Sequence, residues 1–125
     1  MNAVLKYKLS AKLVEGNTTV DSGMEELDLQ IPDISEKGDA VIKVASGETD
    51  YEQSLSNVDA SKFLIIRTDQ SISVKLNDSG NTAISIVASG TTKRGLLFLT
   101  GGAATTLFIT NSSGSIANVE IFYGS

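Results

Sequence analysis

Phe63-Leu64-Ile65-Ile66-Arg67-Thr68-Asp69-Gln70-Ser71-Ile72-Ser73-Val74-Lys75-Leu76-Asn77 is the stretch whose reading sets the class of fold. Its first four residues are apolar without interruption, the pattern of a strand covered on both faces. Thr68-Asp69-Gln70 then turns the chain. Ile72, Val74 and Leu76 alternate with Ser73 and Lys75, the period of a half-buried strand. The same tempo runs on through Ala83-Ile84-Ser85-Ile86-Val87, Leu96–Leu99, Leu107-Phe108-Ile109 and Ala117–Tyr123. Between these runs stand Asn77-Asp78-Ser79-Gly80, Ser89-Gly90, Gly101-Gly102 and Asn111-Ser112-Ser113-Gly114. Asn, Asp and Gly supply the positive φ that tight turns demand.

Working outward toward the N-terminus, the rhythm persists. Leu5, Tyr7, Leu9, Ala11 and Leu13 alternate with Lys6, Lys8, Ser10 and Lys12, and the three lysines suit an edge strand, where charge discourages unwanted pairing. Gly16-Asn17-Thr18 turns the chain. Leu27, Leu29 and Ile31 alternate with Glu26, Asp28 and Gln30, and Pro32 is expected to end that strand because it lacks a ladder donor. Ala40, Ile42 and Val44 form a third strand closed by Ser46-Gly47, and a weaker run spans Tyr51 to Leu55. Residues 33–39 or 56–62 have room for one helical turn at most.

Eight to ten short strands with turns at this spacing predict an all-β fold, a single β-sandwich domain over residues 1–125. Strand order is not readable from pattern, and jelly-roll and immunoglobulin-like orders fit the count equally. The jelly-roll-like form is the expectation adopted. Its inner face is predicted from the period-two pattern to hold Leu5, Tyr7, Leu9, Leu27, Leu29, Ile42, Val44, Leu64, Ile66, Ile72, Val74, Ile84, Ile86, Leu107, Ile109, Val119 and Ile121.

Composition narrows function mostly by exclusion. The chain has neither cysteine nor histidine, which removes disulfides, thiolate metal sites and the commonest general acid/base. Residues 1–62 carry twelve acids against six bases, whereas residues 63–125 carry three against four. An acidic first half argues against nucleic-acid binding, and no apolar run is long enough for a membrane span or a signal peptide. The near-neutral second half is the cheaper surface to desolvate, hence the better candidate for a protein contact.

Several short motifs invite sharper readings and do not sustain them. Val-Ala-Ser-Gly occurs at residues 44–47 and 87–90, but its flanks diverge at once, against a duplication of two halves. Asn77–Asn81 lacks the alternating acids and closing glutamate of a calcium loop, and reads as a turn, as does Asp21-Ser22-Gly23. Gly90–Gly102 has basic Lys93-Arg94 and glycines, yet no GK[ST] and no following helix for a phosphate; the basic pair reads as an exposed loop tip, with docking to an acidic partner its sharper use. Glu25, Glu26 and Asp28 form the densest acidic cluster, on the outer side of a strand. No GxSxG is present. The expectation is therefore no enzyme, with no catalytic, cofactor-binding or metal residues and no cofactor.

Two segments carry a resemblance. Phe63–Asn77 reads Phe-Leu-hydrophobic-hydrophobic-Arg-x-Asp followed by hydrophobic-x-Val-x-Leu-Asn. Leu96–Gly124 contains Gly101-Gly102, then Leu107, Ile109, Asn111, Gly114, Ala117 and Val119 at matching spacing. Together they resemble small structural proteins of tailed bacteriophages, over about half the chain. The N-terminal half agrees only in its tempo of strands. The resemblance implies a virion component assembled in the host cytoplasm, foremost a capsid decoration (cement) protein that stabilises the head. Its expected partners are the major capsid protein or other virion proteins and further copies of itself, as a trimer, with no nucleic acid and no membrane. The alternative is a tail, head–tail or fibre accessory protein with a carbohydrate- or receptor-binding role. The absence of Trp and the presence of only three Tyr weigh against a sugar platform.

Overall fold

The computed structural model describes residues 3–56, 58–89 and 92–125; within the first two strands it leaves undescribed the side chains of Leu13, Val14, Val20, Asp21, Ser22, Glu25, Glu26 and Leu27. Ten strands and no helix are found among the described residues. The chain divides into two compact units, Met1–Ile34 and Ser35–Ser125.

The second unit is the sandwich. Its eight strands are β3 (Lys37–Val44), β4 (Tyr51–Ser54), β5 (Phe63–Thr68), β6 (Ile72–Leu76), β7 (Ile84–Ile86), β8 (Gly95–Thr100), β9 (Thr106–Thr110) and β10 (Ala117–Gly124). They make two four-stranded antiparallel sheets in the orders β3-β10-β5-β8 and β4-β9-β6-β7. Numbered within the unit, these are 1-8-3-6 and 2-7-4-5, the interleaving of a jelly roll. Only the β6–β7 connection stays in one sheet; every other connection between consecutive strands crosses to the opposite layer. Each sheet therefore draws strands from both ends of the unit.

Register explains the core. Across the first sheet, Ile121 pairs with Ala40 and Ile66, and Ile66 with Leu97; Tyr123 pairs with Gly38 and Leu64, and Leu64 with Leu99. In the second sheet Ile109 pairs with Tyr51 and Val74, and Leu107 with Gln53 and Leu76. Their inward sides meet in one cluster containing Val44, Leu64, Ile66, Ile72, Val74, Ile86, Leu107, Ile109, Val119 and Ile121, with Ile42 packed against it. These are the residues that the alternation assigned to the inner face, together with half-buried Ile84. The doubly apolar run Phe63–Ile66 forms β5, an interior strand of its sheet. Leu55, Val58, Ala104 and Ala117 complete the cluster from strand ends and loops.

The first unit departs from expectation. β1 (Ala3–Glu15) and β2 (Thr18–Ile34) pair only with each other, as a two-stranded antiparallel ribbon turned at Gly16-Asn17. Leu5, Tyr7, Leu9 and Leu29, placed on the inner face of the sandwich by their alternation, belong instead to this ribbon and not to the core cluster; Leu27, whose side chain lies outside the described residues, joins it through its backbone. Alternation specifies that a strand has an apolar side. It does not specify which layer will cover that side.

β2 also runs through two features read as interruptions. Asp21-Ser22-Gly23 and Pro32 both lie within it. β2 has seventeen residues against thirteen in β1, and the excess is taken up at four register shifts. One brackets Pro32, which a bulge tolerates because the ladder is interrupted there. Gly23 sits at another with φ 62°; a Cβ there would stand 2.0 Å from the Ala11 carbonyl oxygen, so only glycine fits.

Candidate interaction surfaces

The outer side of the first sheet presents rows of residues fixed by register. Val41, Glu120, Arg67 and Leu96 lie side by side across all four strands. The Arg67 guanidinium holds the Glu120 carboxylate, its Nε donating to Oε2 at 2.7 Å and its Nη2 to the same oxygen. The row is thus electrically neutral at its centre and apolar at both ends, with Val41 78% and Leu96 58% exposed. The next row holds Asp39, Phe122, Ile65 and Phe98. Phe122 meets Phe63 edge to face with ring centroids 5.0 Å apart.

Beside the first row lies an open polar groove lined by Arg67, Thr68, Asp69, Arg94, Asn118 and Glu120. Both Asp69 oxygens are engaged: the Asn118 backbone N–H donates to Oδ1 at 2.8 Å and its Nδ2 to Oδ2 at 2.6 Å. These bonds, the side-chain one foremost, hold the Asp69 carboxyl below its ordinary value of 3.8, and the Arg94 charge acts in the same direction. The groove is a fixed surface with its charges balanced. The Thr68-Asp69-Gln70 turn in the sequence concealed it, because Asn118 is distant along the chain.

Other singled-out residues fall as follows. Asn77 takes φ 69°, Asp78 Oδ1 accepts from the Gly80 N–H at 2.7 Å, and the segment links antiparallel β6 and β7 as the turn reading expects. Lys93 and Arg94 are exposed, whereas the neighbouring Gly90 and Thr91 lie outside the described residues. Asp28 is exposed and pairs with Lys8 at 3.3 Å; the side chains of Glu25 and Glu26 lie outside the described residues. Among the described residues no three potential ligands from His, Cys, Asp and Glu converge to hold a metal ion.

Sequence reading missed Asn111, taken for a turn residue. It is fully buried, and its Nδ2 donates to the carbonyls of Val44 (2.9 Å), Ala45 (3.3 Å) and Ser115 (2.7 Å). Its Oδ1 accepts from the Ser113 N–H and hydroxyl. One side chain thus ties the end of β3 to the loop before β10. The Asn-Ser-Ser-Gly pattern signals a turn and says nothing of burial.

The third surface is the ribbon itself. Register puts Leu5 opposite Ile31, Tyr7 opposite Leu29, Leu9 opposite Leu27 and Ala11 opposite Met24. The alternate positions pair Lys6 with Gln30 and Lys8 with Asp28. One side is apolar and the other charged. Comparison with protein-family models and with curated proteins finds no match to this chain.

Proposed function

We propose that the chain is a non-catalytic structural protein of a tailed-phage virion, a decoration protein that binds the major capsid protein and reinforces the head as a homotrimer. The observation that carries this reading is the outer side of the β3-β10-β5-β8 sheet. It offers a neutral strip with exposed Val41 and Leu96 on a sandwich with a buried apolar core. Such a strip buries apolar area at low desolvation cost and suits contact across neighbouring capsid subunits. The jelly roll recurs in viral capsid and lectin domains, which is an analogy of fold and supports the reading only as such. Several copies on one particle add avidity without strong single contacts.

Quantitative mass spectrometry of purified virions is expected to find the protein at hundreds of copies per particle, and particles lacking it are expected to lose resistance to heat and osmotic shock. Binding to empty capsids should weaken only slightly from low to moderate salt, since ion pairs contribute little. Presence at the tail alone, with undiminished head stability, would transfer the assignment to a tail, head–tail or fibre accessory role. The polar groove around Asp69 favours that second reading, because paired carboxylate, amide and guanidinium groups are what a sugar hydroxyl bonds. A glycan array that binds the wild type and not Asp69→Ala would support it.

A further inference from the structure

The ribbon poses a physical problem of its own. Thirteen residues of β1 extend it to about 40 Å, and a two-stranded sheet contains no second layer of its own. On that side Leu9 is 46% and Met24 53% exposed, and Leu29 is exposed as well. Isolated ribbons are marginal in water, and both edges of this one are open among the strands described. Something must cover the side and occupy the edges.

Charge selects the occupant. β1 carries Lys6, Lys8 and Lys12 against the single carboxylate of Glu15; β2 carries Asp21, Glu25, Glu26, Asp28 and Asp33 and no base. A two-fold pairing of β1 with β1 would set lysines beside lysines, and β2 with β2 would set carboxylates beside carboxylates, each unfavourable. Pairing β1 of one copy with β2 of another sets opposite signs together, as the ribbon already does internally at Lys8 and Asp28. That contact is heterologous, so it either closes into a ring or runs on as a filament. The four bulges of β2 add twist and bend, the local devices by which sheets curl shut.

We propose that the ribbons of three copies of this chain close into one antiparallel barrel, β1 of each beside β2 of the next. Leu5, Leu9, Met24, Leu29 and Ile31 then face inward and the lysine–carboxylate pairs face out. Three is the smallest number of hairpins that encloses an interior, and the count rests on the trimer in the functional reading above. The barrel supplies what that reading lacks, the residues that make the trimer.

Analytical ultracentrifugation of the full chain at micromolar concentration tests this without virions. The wild type is expected to sediment as a trimer, and Leu9→Asp and Leu29→Asp as monomers whose sandwich keeps its circular-dichroism spectrum and melting temperature. Molar salt should weaken the trimer about tenfold, because opposite charges set β1 of one copy beside β2 of the next, and a salt-independent trimer would overturn that order of strands. A monomeric or dimeric wild type, or a trimer that survives both aspartate substitutions, overturns the barrel. A trimer that is present in solution and missing from the head overturns the cement reading and leaves the barrel standing.

Discussion

Leu29 and Leu107 are the same residue in strands of the same alternating pattern, yet Leu29 is 39% exposed and Leu107 is fully buried. The difference lies in what stands opposite. Leu107 projects from β9, a strand of one of the two four-stranded sheets, whereas Leu29 projects from β2, which among the described residues pairs with β1 alone. In the sandwich each strand's apolar side is answered by another layer of the same chain, and the unit is complete. In the ribbon the pattern is equally regular, and β1 and β2 make a two-stranded sheet of their own. The contrast separates a strand's amphipathicity from its burial: the first belongs to the segment, the second to the assembly.

The comparison can be broken most directly by truncating the two leucines. Leu107→Ala is expected to cost about 3 kcal/mol, because the surrounding core refills the cavity only in part. Leu29→Ala, compared in the monomeric Leu9→Asp background, should stay within about 0.5 kcal/mol, as for surface positions. Urea unfolding of both variants checks this, and equal losses would mean the ribbon's apolar side is covered within one copy.

Asn111→Ala comes next, at about 2 kcal/mol. It removes the amide donor from the carbonyl of Val44, at the fully buried end of β3, whereas Ala45 keeps the Glu48 N–H and Ser115 the Ser113 hydroxyl. Asn111→Asp should be no better, since a carboxylate cannot donate to three carbonyls. Hydrogen exchange at the Gly47 amide, which donates to the Asn111 carbonyl at 2.8 Å, reports the loosened loop.

On the ribbon side, Gly23→Ala should disturb only the ribbon, by about 1–3 kcal/mol, through strain at φ 62° and collision with the Ala11 carbonyl. Its signature is faster amide exchange in β1 and β2 with an unchanged melting temperature of the sandwich.

The smallest effects belong to exposed charges. Arg67→Ala removes an ion pair at the sheet surface and should cost less than about 1 kcal/mol. Asp69 titrates below its ordinary value when folded. Its contribution is therefore present above the unfolded pKa, near 3.8, and is lost as pH falls through the lower folded value. Asp69→Asn should flatten the stability profile slightly in that acid window and leave neutral pH almost unchanged, as thermal melts from neutral pH down to strongly acidic buffers would show.

Strand identity was almost wholly legible in the sequence, because period two is a local consequence of the pleat and each run carries its own turn residues. Ile72, Val74 and Leu76 announce β6 without help from any other segment. The inner face of the sandwich followed for the same reason, from Val44 through Ile121. Burial of Asn111 did not follow, since its partners come from the end of β3 as well as from its own loop. Nor did the Asp69–Asn118 groove, which exists only because β5 and β10 are neighbours. Pro32 misled because a proline stops a regular ladder, while a bulge had already interrupted this one.

The sequence by itself determined an all-β chain, the sign of each strand's two sides, the acidic first half and the want of histidine and cysteine. Those properties reside in single segments or in composition. Only the tertiary structure decided the interleaved order of the eight sandwich strands and the separation of the first two into a ribbon. It also decided the pairings that put Val41 beside Glu120 and Arg67 beside Leu96. Strand partners are chosen by long-range hydrogen bonding and by the layer available to cover each apolar side, and neither is written within one strand.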